Sequence, residues 1–149
     1  MYYSKSNAGY ILRLEIGEEV QEALRQFAET TKIKSAFYQG IGTIHQVELA
    51  FFCKDLKGYN KSFFDDSYEL ILLSGNLTTY EDTIIPHTHV CIGDRNFQTY
   101  SGHLVRGIIS VTAEIILTPV DLSLTRETDP ILNYEALVFP NREHLKVDV

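Results

Sequence analysis

Three of the chain's five histidines fall in two short stretches, Pro86-His87-Thr88-His89-Val90-Cys91-Ile92 and Gly102-His103-Leu104. Residues 84–92 read as extended, and in a strand alternate side chains share a face. His87 and His89 then point the same way, about 7 Å apart along the backbone, close enough for two ring nitrogens to converge on one ion. Gly93-Asp94-Arg95-Asn96 carries turn chemistry and folds the chain back as a hairpin. Pairing the arms around that turn puts residue 102 opposite His87, with His103 beside it. Three neutral imidazoles on one patch with no obligatory fourth ligand describe an open zinc site. A lone strand histidine is ordinarily just a hydrogen-bonded residue; the third one, returned by the hairpin, is what raises the pattern toward a metal. Cys91 continues the same alternation and reads either as a fourth, softer ligand or as a small buried hydrophobe. His45 and His144 have no such spacing and read as structural or surface residues.

The elements that must hold these residues are mostly strands. Ala8 to Ile16 alternates as a first strand, and Gly17 breaks it. Glu18 to Thr30 places Val20, Ala23, Leu24, Phe27 and Ala28 at helical spacing, with acids in the first turn where the helix dipole favours them. Further strands are expected over Ser35 to Ile41, Thr43 to Lys54, Tyr68 to Tyr80, the histidine hairpin, Leu104 to Leu117 and Tyr134 to Phe139. Gly40-Ile41-Gly42 is followed by no helix, so it reads as a bend between strands and not as a phosphate loop. Lys57 to Asp66 reads as a loop or hairpin end, Pro119 to Pro130 as an irregular connection, and Asn141 to Val149 as a charged tail. One helix with about seven mostly antiparallel strands makes an α+β fold. Several strand residues, Leu70 to Leu73 and Ile115 to Leu117, are apolar on both faces and need cover that one helix cannot supply. A symmetric oligomer is the simplest source.

Composition bounds the function. A chain of 149 residues with 44% hydrophobic and 11% aromatic content is long enough for one domain with its own core. It shows neither the ~20-residue apolar run of a membrane span nor the apolar core of a signal peptide at Met1-Tyr2-Tyr3-Ser4-Lys5. Cys53 and Cys91 make no disulfide framework, so a cytoplasmic protein with reduced thiols is expected. A net charge of −7 argues against direct DNA binding, because phosphate neutralisation supplies most nucleic-acid affinity and no basic run is present.

The chain resembles the PPC domain (plant and prokaryote conserved domain), in its stand-alone prokaryotic type. The matching residues are Arg13-Leu14-Glu15-Ile16-Gly17-Glu18-Glu19, Gln39-Gly40-Ile41-Gly42-Thr43 with Val47-Glu48-Leu49, and Tyr68-Glu69-Leu70 through Ser74-Gly75-Asn76. Further matches are Pro86-His87-Thr88-His89, Gly93-Asp94, Gly102-His103-Leu104 and Thr112-Ala113-Glu114-Ile115. The similarity runs from about Tyr10 to Leu117. It implies a homotrimer on a mainly antiparallel sheet, and a metal held by His87, His89 and His103. It also implies a fold similar to acetolactate decarboxylase, whose zinc is bound by histidines. Plant members carry AT-hooks beside the domain and some bacterial members are labelled DNA-binding; no AT-hook is present here.

Two functions follow. The first is a zinc-dependent enzyme acting on a small molecule, with Glu69 and Glu114 as acid/base candidates because each lies in an otherwise apolar strand. Glu69, next to Leu70-Ile71-Leu72-Leu73, is expected to be partly desolvated and is the preferred one. Arg106, three residues beyond His103, is the candidate for holding an anionic substrate. The second is a non-catalytic assembly or regulatory module. An open metal with a carboxylate facing it favours the enzyme; a closed site with Cys91 as fourth ligand favours the module.

Overall fold

The structure, a computed structural model, describes residues 1–140. The charged tail expected at 141–149, with His144, lies outside them. The elements are β1 (Tyr2–Ser6), β2 (Gly9–Glu15), α1 (Val20–Thr31), β3 (Ala36–Cys53), β4 (Gly58–Tyr80), β5 (Thr83–Gly93), β6 (Thr99–Pro119), β7 (Thr125–Thr128) and β8 (Glu135–Val138). They form one eight-stranded sheet in the order β1-β2-β6-β3-β4-β7-β8, with β5 bridging β4 and β6. Every pairing is antiparallel except the single β4–β7 contact at Thr79 and Thr125. The class is α+β, as the residue pattern requires.

Helix α1 begins where the Glu19 carboxylate accepts the amide of Glu22 and ends at Lys32, which takes the left-handed conformation that closes a helix. The five apolar residues at helical spacing are all buried. They pack on one sheet face against Leu12, Leu14, Leu73, Leu77, Val90, Ile92, Leu104, Ile109 and Ile115. With Leu73 fully buried, Leu73→Ala should destabilise the fold by about 2–5 kcal/mol. Urea unfolding measures it; a loss below about 1 kcal/mol would contradict the core drawn here.

Four readings change. The strand β1 comes from Tyr2–Ser6, too polar to show the alternation of a half-buried strand. Residues 57–66 are mostly the first arm of β4, paired with β3 from Phe52 and Tyr59 to Val47 and Phe64, and the turn is confined to 54–57. The expected bend at Gly40-Ile41-Gly42 is part of one continuous strand, β3, with register shifts there and at His45/Val47. A Cβ at Gly40 or Gly42 would run into the β6 backbone at Glu114 or Thr112, so these glycines permit close strand approach. Finally, the segment 119–130 contains β7, whose partner β8 lies in the expected last strand.

Alternation leaves the second sheet face bare. Leu70, Leu73, Ile115 and Leu117 are buried against α1, whereas Ile41, Ile71, Leu72 and Ile116 are each about half exposed. A bulge between Leu70 and Leu72 turns both Ile71 and Leu72 outward. Among the described residues no helix is long and apolar enough to cross a membrane.

Candidate metal centre

Strand β5 carries the centre. Thr88 and Val90 are buried on the helix side, and His87, His89 and Cys91 alternate onto the opposite face. His89 sits directly across from His103 on β6 and from Ser74 on β4, and His87 across from Asn76. The hairpin register is three residues longer than expected: Val90, not His87, faces Gly102. Asp94 causes this. Its carboxylate accepts the amides of Asn96 and Gln98, and its own amide donates to the Gln98 carbonyl, so the loop closes at Gly93 and Thr99. The wider loop brings His103 opposite His89.

One ring nitrogen from each of His87, His89 and His103 lies within 4.8 Å of the other two. Cys91 is not in this group. The ring centroids are 5.0–5.5 Å apart. Tyr59, at the start of β4, stacks on His103 with centroids 5.5 Å apart. Beneath the histidines a polar chain ties four elements together. Tyr38 donates to Thr88 at 2.7 Å, Thr88 to the Gln21 carbonyl oxygen at 2.5 Å, and Gln21 to the Leu104 carbonyl at 3.0 Å. It locks the backbone of β5 to β3, β6 and α1, so the imidazoles project from a fixed strand.

Burial holds the His87 imidazole down to about 4, with Arg126, His103 and His89 adding to the effect. Burial, His89, Arg126 and Lys61 lower His103 as well. Both rings are neutral near pH 7, the state a metal requires. His103 Nδ1 is buried with no hydrogen-bond partner, an arrangement that is costly for a polar atom and is relieved by a metal. The donor set and this orphaned nitrogen fit a divalent ion. The same shift has a consequence for the metal-free protein. The unfolded ring titrates at 6.5 and the folded one at about 4, so between those values only the unfolded chain takes the proton. The His87 contribution to stability is complete above pH 6.5 and is lost as pH falls toward 4. Urea midpoints taken in chelator should decline across that window, and the decline should be shallower in His87→Gln; identical profiles would refute it.

The residues chosen for acid/base and anion binding stand elsewhere. Glu69 is exposed, not desolvated, because it precedes the bulge on the uncovered face. It pairs with Gly93, four residues along β5 from His89, or about 13 Å of strand. Glu69 and Glu114 share an open hollow with Ile41, Thr43, Ile71 and Thr112. Arg106 is exposed on β6 and pairs in register with Glu48. None of the three joins the histidines within one chain.

The basic residue at the centre is Arg126, on β7. It is 8% exposed. Its Nη2 lies 2.9 Å from His87 Nδ1 and donates to Asn76 at 2.9 Å. Its Nε donates to Thr78 at 2.9 Å and Nη1 to the Glu135 carbonyl at 2.8 Å. Nothing local in Thr125-Arg126-Glu127-Thr128 marks this residue; only the β4–β7 pairing carries it to the site.

Residues 1–121 match the family model of the Plants and Prokaryotes Conserved (PCC) domain, and the chain belongs to that family. The plant- and prokaryote-conserved (PPC) protein of Pyrococcus horikoshii is 28% identical, with a TM-score of 0.82 over 98% of this chain and 97% of that one. The "Putative DNA-binding protein" from Ralstonia eutropha JMP134 is 27% identical, with a TM-score of 0.86 over 93% and 96%. The metal-containing protein AF0104 from Archaeoglobus fulgidus shares the fold at 22% identity, with a TM-score of 0.82 over 92% and 96%. Among curated proteins, "Bifunctional protein GlmU" of Synechococcus sp. (strain JA-3-3Ab) is 29% identical over 128 residues; these cover 84% of this chain but only 19% of that protein.

Proposed function

We propose that this chain is a cytoplasmic, homotrimeric metal-binding protein whose His87, His89 and His103 hold one divalent ion, zinc by preference, and that it acts on a small molecule. The observation that carries the reading is the convergence of three imidazoles on one point with His103 Nδ1 unsatisfied. Zinc is favoured because three imidazoles with an open position are a common catalytic zinc set. Such an ion polarises a carbonyl or brings the pKa of water toward ~7 when bound. The chain's part is to fix the three rings, keep them neutral, and leave the exposed His89 side open to a ligand. The trimer reading is supported by the apolar hollow of Ile11, Ile41, Leu72 and Ile116, which further copies of the chain would cover.

Because Glu69 and Glu114 lie on that uncovered face, their place in catalysis depends on a neighbouring copy. A screen of the metal-loaded protein for hydrolase and lyase turnover tests the enzyme reading, with Glu69→Gln as the second arm. Turnover that needs the histidines supports it. Loss in Glu69→Gln with metal and trimer retained assigns that carboxylate, and full activity removes it. No turnover across broad substrate classes favours the assembly module.

The Ralstonia neighbour raises DNA association as a second reading. Here 20 acidic residues outnumber 13 basic ones, so no appreciable duplex affinity is expected at physiological salt. Submicromolar, salt-sensitive binding of a duplex by the protein would reverse that expectation.

A further inference from the structure

We infer that the ligand of the three-histidine centre is a small oxyanion, a carboxylate or phosphate group, and that Arg126 is the residue that selects it. This rests on the metal-site reading above and goes beyond it by naming the ligand class. Arg126 lies outside the 1–121 span that the family model matches.

Arg126 is a buried cation surrounded by neutral acceptors. Its partners are the Thr78 hydroxyl, the Asn76 amide oxygen, the Glu135 main-chain carbonyl and His87 Nδ1. The Glu135 side chain is exposed, and none of the described ion pairs involves Arg126 or the three histidines. Burial works against the charged guanidinium, and the Glu135 carboxylate acts on it only from beyond ion-pair distance. A buried charge so incompletely balanced is costly, and an anion offsets it. A divalent ion on three neutral imidazoles increases the positive charge at the same place.

The hydrogen-bond inventory leads to the same ligand. A guanidinium only donates, so His87 Nδ1 must accept from Nη2, and a neutral imidazole has a single lone pair. If a metal takes Nδ1, that lone pair is gone. If it takes Nε2, the ring proton moves to Nδ1 and faces the guanidinium donor to donor. Either way the Nη2 hydrogen loses its acceptor when the centre loads. Four of the five N–H groups are engaged before loading, one of them by His87, so loading leaves three engaged and one hydrogen on Nη1 and one on Nη2 without a protein acceptor. Freed guanidinium hydrogens on both terminal nitrogens are the donors that carboxylates and phosphates accept. Neutral ligands lack the charge, and bulky cations are repelled.

The test uses the full chain loaded with Co²⁺, whose visible spectrum reports changes at an open position. After one ion per chain is confirmed, inorganic phosphate, acetate and neutral acetamide are titrated separately. Phosphate or acetate should perturb the wild-type bands saturably, and the better of the two identifies the group. Arg126→Gln should weaken that response about tenfold or more with metal content unchanged, while any acetamide response stays the same. Arg126→Lys, which keeps the charge and loses the paired terminal nitrogens, should fall between them and serves if the Gln variant does not fold. Equal anion responses in wild type and both variants, or no response in metal-loaded wild type, would overturn the inference. Failure of wild type to hold Co²⁺ or Zn²⁺ at all would instead defeat the metal reading on which it stands.

Discussion

Purified protein saturated with zinc and then dialysed should retain one ion per chain, and the His87→Ala, His89→Ala double variant should retain none. The expectation comes from three ring nitrogens within 4.8 Å on strands that a buried hydrogen-bond chain holds in place. Loss of outer partners alone costs metal sites about 10–100-fold in affinity, so removing two of three ligands should cost more than 100-fold. Binding also has a thermal readout. At a zinc concentration about 1,000 times the dissociation constant, the native state gains ~4 kcal/mol, which raises Tm on the order of 10 °C for a chain of this size. The double variant should show no zinc-dependent rise. Both arms matter: equal stoichiometry in wild type and variant would move the ion away from these histidines, and a bound ion without stabilisation would place it on the unfolded chain as well.

The second large effect concerns the uncovered sheet face. Sedimentation equilibrium should give about three times the 17.0 kDa chain mass, and Leu72→Glu should give a monomer or a much weaker trimer. The reason is the pattern of exposure: Ile11 is 56% exposed, Ile41 57% and Ile116 53%, and they lie together around Leu72. Burying each such side chain is worth roughly 1.5–3 kcal/mol, and a cyclic trimer repeats every contact three times. A carboxylate at Leu72 reverses the sign at each copy, because an unpaired buried charge is expensive. Since Leu72 faces away from α1, the single-chain fold should survive the change, which circular dichroism checks. A 17 kDa wild-type species at micromolar concentration would be incompatible with the trimer.

The contrast between His103 and Arg126 shows how far the residues alone could lead. Strand alternation is a local property, so Thr88 and Val90 inside with His87 and His89 outside could be read directly from the chain, as could the five-residue apolar stripe of α1. The return of His103 needed only a turn, and the turn residues were visible. The register was not. It depended on Asp94 capping the amides of Asn96 and of Gln98, the second beyond the expected turn. The resulting shift of three residues, an odd number, is what sets His103 opposite His89 and so on the face of the other two histidines. Glycines 40 and 42 carried a similar ambiguity: the same residues permit a bend or a close strand approach, and only the β6 backbone behind them decides.

What the sequence determined by itself was the α+β class, the apolar stripe of α1 and the shared face of His87 and His89 with His103 returned beside them, because each rests on periodicity or on residues joined by one hairpin. What only the tertiary structure decided was the charge around the centre. Arg126 reaches His87 across 39 positions through a β4–β7 contact of one residue pair, and no local pattern encodes so sparse a pairing. Glu69 and Glu114, selected for their apolar neighbours, are separated from the histidines because a bulge and a strand's length intervene. Side-chain type and spacing specify which face a residue takes; the distance between two residues on that face depends on every strand crossing between them.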